Sequence, residues 1–130
     1  MAKIVIVEDD VNIASIYKQK LEEGSYEVTI VPDNEAVSQI KKIQPNLVLL
    51  DILMPRVSGL DILRELKMDP ETSAIPVLLL TNVAEDASIA KGLQYGAYGY
   101  LLKSETSPDM VLPRVNMTLE ELTNPQDAKK

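Results

Sequence analysis

The sequence contains no cysteine and no histidine among its 130 residues. The missing cysteine excludes disulfides, thiolate metal sites and cysteine nucleophiles. The missing histidine excludes imidazole zinc sites, hydrolases that use a histidine base, and any role as a carrier of phosphohistidine. Acid–base or metal chemistry in this chain must therefore use carboxylates, lysine, tyrosine or hydroxyl groups.

Long hydrophobic runs and an excess of positive charge are also missing. No run approaches the roughly 20 apolar residues of a membrane span, and the apolar N-terminal segment Lys3–Val7 is shorter than the core of a signal peptide. The formal net charge is −7, which disfavours direct contact with nucleic acid, because that binding depends on Lys and Arg neutralising phosphates. We therefore expect a cytoplasmic protein that contacts neither a membrane nor nucleic acid directly.

What the sequence does contain is a regular alternation of short apolar runs and longer amphipathic segments. With 45% hydrophobic and 25% charged residues, it has the composition of one globular domain. Five runs have the length of strands: Ile4–Val7, Val28–Val31, Leu47–Leu50, Val77–Leu80 and Tyr98–Leu102. Three of them consist almost only of Val, Ile and Leu, which is typical of strands buried on both faces.

Apolar residues at helical spacing follow these runs, notably in residues 11–23, 58–68 and 84–95. Pro and Gly residues separate the segments. Five rounds of strand and helix, joined by right-handed crossovers, predict a three-layer, doubly wound α/β fold with a parallel sheet between two helical layers. We assign residues 1–122 to this domain and residues 123–130 to a polar tail or the start of a linker.

Side chains that can do chemistry follow four of the five predicted strands. Ligands of such sheets bind beyond the carboxyl ends of the strands. Glu8, Asp9 and Asp10 follow the first strand, Asp51 the third, Thr81 the fourth and Lys103 the fifth. Each has an ordinary explanation by itself: Asp9 or Asp10 could cap the first helix, and Lys103 could be a solvated charge. All of these explanations would have to hold together, so the combination favours a functional site.

The clustered carboxylates predict a metal site. Two like charges about 4 Å apart repel by roughly 4 kcal/mol at an effective dielectric constant of about 20. We therefore expect the acidic residues to bind a cation, which offsets this repulsion. Oxygen ligands alone favour a hard metal, Mg²⁺ or Mn²⁺. With the metal and Lys103 offsetting charge, the carboxylate of Asp51 can attack a phosphorus atom in line. Thr81 can then donate a hydrogen bond to an oxygen of the acyl phosphate.

Taken together, these residues resemble the receiver domains of two-component response regulators. The matching segments are Val7–Asp10, Leu50–Pro55 followed by Gly59, Leu80–Thr81, and Gly96–Lys103. The resemblance covers nearly the whole chain. It implies a five-stranded flavodoxin-like sheet with strand order 2-1-3-4-5. It also implies a phosphorylation-dependent signalling switch rather than an enzyme that acts on separate substrates.

The resemblance assigns metal and phosphoryl roles to the positions that match. Asp51 is the phosphoacceptor, Asp10 a direct Mg²⁺ ligand and Asp9 a ligand that acts through water. The backbone carbonyl of Leu53 completes the protein ligands. Glu8 receives no direct contact with the metal.

The resemblance also implies a switch and its partners. Lys103 contacts the phosphoryl group. Thr81 and Tyr100 form a switch pair, in which the tyrosine ring moves between an outward and an inward position as Thr81 moves toward the phosphoryl group. A sensor histidine kinase or a phosphotransfer protein is the implied donor. The face formed by the fourth helix, fifth strand and fifth helix is the implied contact with a downstream protein or an output domain.

Three residues depart from the family's usual pattern. Asn82 follows Thr81 where a small Ala or Gly is usual, which bears on donor access and on phosphate lifetime. Ser104 stands where many members have a cis proline. Because a cis bond before another residue type costs about 2.5–4 kcal/mol, we expect a trans bond here. Pro113 lies inside the expected fifth helix, after a sound start at Ser107–Asp109, and predicts a kink or a delayed helix.

Three other functions compete with this interpretation. An aspartate-nucleophile phosphatase needs a second Asp two residues after the nucleophile, where this chain has Leu53. A flavodoxin needs a hydroxyl- and Gly-rich loop after the first strand, where this chain has Glu8–Asp10. A receiver-like interaction module that is never phosphorylated stays open as the alternative, because of Asn82. The sequence is equally compatible with a stand-alone regulator and with one domain of a longer protein.

Overall fold

The computed structural model describes residues 1–82, 86–104 and 107–123. In these parts of the chain, five strands alternate with five α-helices, and a 3-10 turn at Asp33–Glu35 precedes the second helix. The elements are β1 (Lys3–Val7), α1 (Val11–Glu23), β2 (Glu27–Val31), α2 (Ala36–Ile43), β3 (Leu47–Asp51), α3 (Gly59–Met68), β4 (Val77–Thr81), α4 (Asp86–Gln94), β5 (Gly99–Leu102) and α5 (Pro108–Thr123).

The strands form one parallel sheet in the order β2-β1-β3-β4-β5. This arrangement confirms the predicted α/β fold and the strand order that the resemblance implied. The strand order reverses between β1 and β3, which is where ligands of such sheets bind. The register pairs Asp51 with Leu80 and Thr81 with Leu102, so the carboxyl ends of β3, β4 and β5 lie side by side.

The central strands of the sheet are buried on both faces, as their apolar sequences predict. All residues of β3 and β4 are buried, including the polar ones at their ends. One hydrophobic core lies on the side of α2 and α3 and includes Ile40 and Leu63. The other lies on the side of α1 and α5 and includes Leu21 and Val111. Each fully buried side chain of this kind contributes about 1.5–3 kcal/mol, so these two cores hold the strand ends in place.

Local capping and close packing fix where the helices begin. The Asp10 carboxylate accepts hydrogen bonds from the backbone amides of Asn12 and Ile13, at 3.0 and 3.1 Å, and so caps α1. Ser58 caps α3 in the same way. Gly59, the first residue of α3, lies against β3 so closely that an added Cβ would stand 2.0 Å from the backbone oxygen of Asp51. Only glycine permits this approach.

The predicted elements agree with the structure except near the ends of the later helices. Every predicted strand agrees to within one residue at each end. The fourth helix begins at Asp86, and residues 84 and 85 lie outside the described residues. The Lys103–Ser104 bond is trans, as predicted.

The fifth helix is not delayed by its internal proline. α5 begins at Pro108 and continues through Pro113 to Thr123. Burial of Val111 and Val115 against the sheet offsets the one backbone hydrogen bond that Pro113 removes. The predicted tail falls mostly on residues 124–130, outside the described residues. Within the described ranges, no helix combines the length and the apolar character needed to cross a membrane.

Candidate functional site

The centre of the site is a buried lysine between two buried carboxylates. Lys103 Nζ lies 2.5 Å from Glu8 Oε2 and 3.2 Å from Asp51 Oδ2. The side chains of Lys103, Glu8 and Asp51 are 7%, 1% and 5% exposed. They come from the carboxyl ends of β5, β1 and β3, which the strand order brings to one edge of the sheet. The single ammonium group of Lys103 is therefore paired with two carboxylates.

The balance of charge among these three groups is negative. Burial, together with the negative charge of Glu8, raises the pKa of Asp51 to about 7, and Lys103 offsets only part of this effect. Burial acts to lower the pKa of Lys103, but the hydrogen bonds and charges of Glu8 and Asp51 outweigh it and raise that pKa above its ordinary value. The lysine is therefore charged at neutral pH, whereas Asp51 titrates near it in the absence of a metal.

Asp9 adds a third carboxylate to this group. Glu8, Asp9 and Asp51 each offer one oxygen, and the three oxygens lie within 4.8 Å of one another. Asp9 is exposed at the rim, while the other two are buried. Three carboxylates against the single charge of Lys103 leave a negative excess that a divalent cation would offset. Because the donors are all oxygens, the set fits Mg²⁺ or Mn²⁺.

Asp10, which the resemblance implied as a direct Mg²⁺ ligand, caps α1 in this structure. Its Oδ1 atom accepts the two amide hydrogen bonds that cap α1, and the clustered carboxylates found among the described residues do not include it. Glu8, for which no metal contact was expected, belongs to the cluster instead. A signal for this was present in the sequence. A helix predicted to begin at residue 11 makes Asp10 its N-cap residue, which leaves Glu8 and Asp9 for the site.

The remaining predicted residues lie around this centre. Thr81 is buried at the end of β4, and its carbonyl oxygen accepts a hydrogen bond from the backbone amide of Lys103 at 2.8 Å. Tyr100 on β5 points outward and is 40% exposed. Leu53 is exposed in the loop that follows Asp51. The strand ends thus bring Asp51 and Lys103 into contact, with Thr81 on the strand between them.

A cavity of about 240 Å³ opens beside Lys103. Its walls come from α1, the residue after β4, the residues after β5 and the start of α5: Ile13, Ile16, Tyr17, Asn82, Lys103, Ser104 and Pro108. Asn82 and Ser104, which depart from the usual family pattern, therefore both face the same space as the buried lysine.

Known proteins match this chain over most of its length. Residues 4–114 match the family model described as the response regulator receiver domain. The phosphate regulon transcriptional regulatory protein PhoB of Rhizobium meliloti is 33% identical over 112 residues, which cover 85% of this chain and 49% of that protein. The chain spans about half the length of the curated relatives that it matches.

Solved structures show the same fold. The response regulator receiver domain protein (CheY-like) from Methanospirillum hungatei has a TM-score of 0.85 at 29% identity, and the match covers 96% of this chain and 98% of that one. The BeF3-activated N-terminal receiver domain of Klebsiella pneumoniae RstA has a TM-score of 0.80 at 33% identity, covering 90% and 97%. Since the family model matches most of the chain and the site lies at the expected strand ends, the chain belongs to the family of response regulator receiver domains.

Proposed function

We propose that this domain is a signalling switch in which Asp51 accepts a phosphoryl group in a Mg²⁺-dependent reaction. The observation that carries the proposal is the buried contact between Lys103 and Asp51 beside the clustered carboxylates. The donor is a histidine kinase or a phosphotransfer protein. Because residues 1–130 contain no histidine, the phosphohistidine lies outside this domain. The domain catalyses only its own phosphorylation and dephosphorylation.

We assign the metal to Asp9, Asp51 and the backbone carbonyl of Leu53, and Mn²⁺ would serve in place of Mg²⁺. The resemblance implied Asp10 as the direct ligand, but its carboxylate caps α1, so Asp9 is proposed in its place. Glu8 lies in the same cluster and pairs with Lys103. When bound, the cation supplies positive charge that offsets the charge on the phosphoryl oxygens.

In the proposed reaction, Asp51 is the nucleophile. One of its carboxylate oxygens forms a bond to phosphorus, and the bond between phosphorus and the donor nitrogen breaks. The electron pair of that bond stays on the imidazole nitrogen, which takes up a proton. Lys103, already in contact with Asp51, stabilises the negative charge on the phosphoryl oxygens. The Thr81 hydroxyl donates a hydrogen bond to one of the same oxygens.

We propose Thr81 and Tyr100 as the switch pair. A phosphoryl group adds a charge of about −1.5 to −2, which would draw the Thr81 hydroxyl toward Asp51 and leave room for the Tyr100 ring to turn inward. Tyr100 lines a surface cavity of about 570 Å³ together with Leu93 and Arg114. A change in its position would therefore alter the face of α4, β5 and α5. We propose that a downstream protein or an output domain binds this face.

Phosphorylation by a small donor tests the proposal. Incubation with acetyl phosphate or phosphoramidate and Mg²⁺ should add a single phosphate to the intact mass. EDTA and the Asp51→Asn substitution should each abolish this addition. Asp61→Asn, which changes an exposed carboxylate on α3, should leave it intact. Labelling of Asp51→Asn at the wild-type level would rule out Asp51 as the acceptor.

A receiver-like interaction module that is never phosphorylated is the second candidate. The exposed Asn82, which lines the cavity beside Lys103, favours it because a larger side chain there narrows the approach of a donor. Beryllofluoride with Mg²⁺ separates the two functions by NMR. A switch should show amide shifts near Thr81 and Tyr100. Shifts confined to the loops of Asp9 and Leu53 would support cation binding without switching.

A further inference from the structure

One buried carboxylate ties the loop between β3 and α3 to the turn after β2. Asp33 lies in the 3-10 turn, and its side chain is 1% exposed. Its Oδ2 atom accepts a hydrogen bond from the backbone amide of Val57 at 3.3 Å. Its Oδ1 atom lies 2.6 Å from Arg56 Nη2 and also accepts a hydrogen bond from the amide of Asn34 at 2.8 Å. The carboxylate thus bonds to its own turn and to the neighbouring loop.

The loop contacts go beyond what the turn itself needs. A residue that only caps its own turn needs the bond to Asn34 and can leave its second oxygen in water. Here the whole carboxylate is buried, which costs free energy unless the charge is paired and hydrogen-bonded. Arg56 supplies the opposite charge, although its own side chain is 60% exposed. The burial of Asp33 therefore depends on the position of the loop.

The loop is fixed at both ends, and Leu53 lies between the fixed points. At the β3 end, the amide of Ile52 donates to the carbonyl oxygen of Leu80 at 3.0 Å, and the Ile52 carbonyl accepts from Gly59 at 2.9 Å. At the other end, Asp33 holds Val57. Met54 and Val57 also pack against the core on the side of α2 and α3, and the hydrogen bond from Val57 to Asp33 adds a directional contact that fixes the backbone of the loop.

We propose that Asp33 is a positioning residue for the metal site, because its bonds to Arg56 and Val57 hold the loop that presents the Leu53 carbonyl oxygen. This inference rests on the proposed function and adds a residue from a different strand connection to its site. Groups that orient the ligands of a metal typically change its affinity by about 10–100-fold. Asp33 acts through the backbone rather than on a ligand side chain, so we expect the lower end, about 10-fold weaker cation binding when it is replaced.

Asp69 provides a matched control for this test. It follows the other end of α3, where its carboxylate accepts a hydrogen bond from the amide of Glu71 at 2.9 Å and pairs with Lys41 at 3.0 Å. Asp33 and Asp69 line the same groove between α2 and α3. The substitution Asp69→Asn therefore also neutralises a carboxylate that accepts an amide hydrogen bond and pairs with a cation, but at the end of α3 opposite to the loop that carries Leu53.

Titration of the full chain with Mn²⁺, followed by the electron paramagnetic resonance signal of the free ion, measures the effect. Asp33→Asn should bind Mn²⁺ about 10-fold more weakly than wild type. Arg56→Gln should also weaken Mn²⁺ binding, but by a smaller factor, whereas Asp69→Asn should bind Mn²⁺ as tightly as wild type. Hydrogen exchange at the Val57 amide should accelerate in Asp33→Asn and stay unchanged in Asp69→Asn. Arg56 is a surface residue, so Arg56→Gln should fold and can still be titrated with Mn²⁺ even if Asp33→Asn does not fold.

The outcomes separate this inference from the function on which it rests. Wild-type Mn²⁺ affinity in the variants of Asp33 and Arg56 would overturn the positioning role and leave the metal site standing. An equal loss of affinity in Asp69→Asn would also overturn it, because general destabilisation would then explain the effect. Failure of the wild-type protein to bind Mn²⁺ would overturn the proposed metal site itself, and this inference with it.

Discussion

Replacing Asp51 by Asn should stabilise the metal-free domain, although it removes the proposed phosphoacceptor. In the structure, the buried carboxylates of Glu8 and Asp51 share the ammonium of Lys103. A neutral amide at residue 51 would leave Glu8 and Lys103 as a one-to-one ion pair at 2.5 Å. Asn has the size of Asp and keeps an oxygen that can face Lys103, so the substitution opens no cavity. It removes the excess negative charge and little else.

The pKa of Asp51 sets both the sign and the size of the effect. Burial and the charge of Glu8 raise this pKa from its ordinary value of 3.8 to about 7. Folded Asp51 therefore holds its proton more tightly than unfolded Asp51, and the free energy of unfolding falls as the pH rises between these two values. A rise in pKa from 3.8 to about 7 corresponds to about 4 kcal/mol, and screening by water at the rim of the site, where Asp9 is exposed, reduces this to about 2 kcal/mol. For a domain of this size, that is a rise in Tm of about 5–10 °C.

Thermal unfolding in EDTA at about pH 8 and about pH 4 measures this difference. Asp51→Asn should have a higher melting temperature than wild type at the higher pH. At the lower pH the two melting temperatures should converge, because Asp51 is then protonated in folded wild type. Asp61→Asn, on the exposed side of the first turn of α3, should melt at or slightly below wild type at the higher pH, because it removes a charge that favours the helix N-terminus. Added Mg²⁺ should stabilise wild type more than Asp51→Asn. Equal melting temperatures of wild type and Asp51→Asn at about pH 8 would refute the idea that the metal-free site holds excess negative charge.

Two further substitutions test the packing of α3 against β3 and the effect of the proline inside α5. Gly59→Ala should lower the free energy of unfolding in urea by about 1–3 kcal/mol, because its Cβ would stand 2.0 Å from a backbone oxygen of β3. Gly99→Ala should lower the free energy of unfolding by less, because its Cβ would meet the movable end of the Arg114 side chain. Equal losses of stability in the two variants would contradict this reasoning. Pro113→Ala restores a backbone amide that can donate a hydrogen bond to the carbonyl oxygen of Asp109. It should therefore raise the free energy of unfolding by about 1–3 kcal/mol. The control Glu120→Ala, on the same helix, should leave the free energy of unfolding unchanged. A loss of stability in Pro113→Ala would show instead that the proline fixes the path of α5.

The strands could be predicted from the sequence because burial on both faces leaves a simple pattern. β3 and β4 are uninterrupted apolar runs that end in a single polar residue, Asp51 or Thr81. Such runs fit central strands of a parallel sheet, which have no solvent-facing side. The order of the strands was not predictable in this way, because apolar periodicity does not determine which strands are neighbours. That part came from the resemblance, and the structure confirms it.

The site could be predicted only where a single residue of its type ends a strand. Asp51 and Lys103 satisfy this condition, and the structure brings them into contact. The three consecutive acids Glu8–Asp10 do not satisfy it, because residue type does not distinguish a ligand from a helix cap. The contact of Asp33 with Val57 could not be predicted at all. The two residues are 24 positions apart, and Val57 lies in a loop whose sequence has no periodic pattern.

The contact between Glu8 and Lys103 explains how the site could keep a buried ammonium during the proposed reaction of Asp51. An ammonium that is only 7% exposed would be costly without an anion in contact with it. Glu8 is the closer of its two partners, at 2.5 Å against 3.2 Å for Asp51. Lys103 has three N–H groups, so it could stay paired with Glu8 while one N–H turns from Asp51 to an oxygen of the phosphoryl group in the proposed reaction. Glu8 and Asp51 thus divide two tasks that one carboxylate could not perform together: Glu8 holds the lysine charged and in place, and Asp51 offers its oxygens to the proposed reaction.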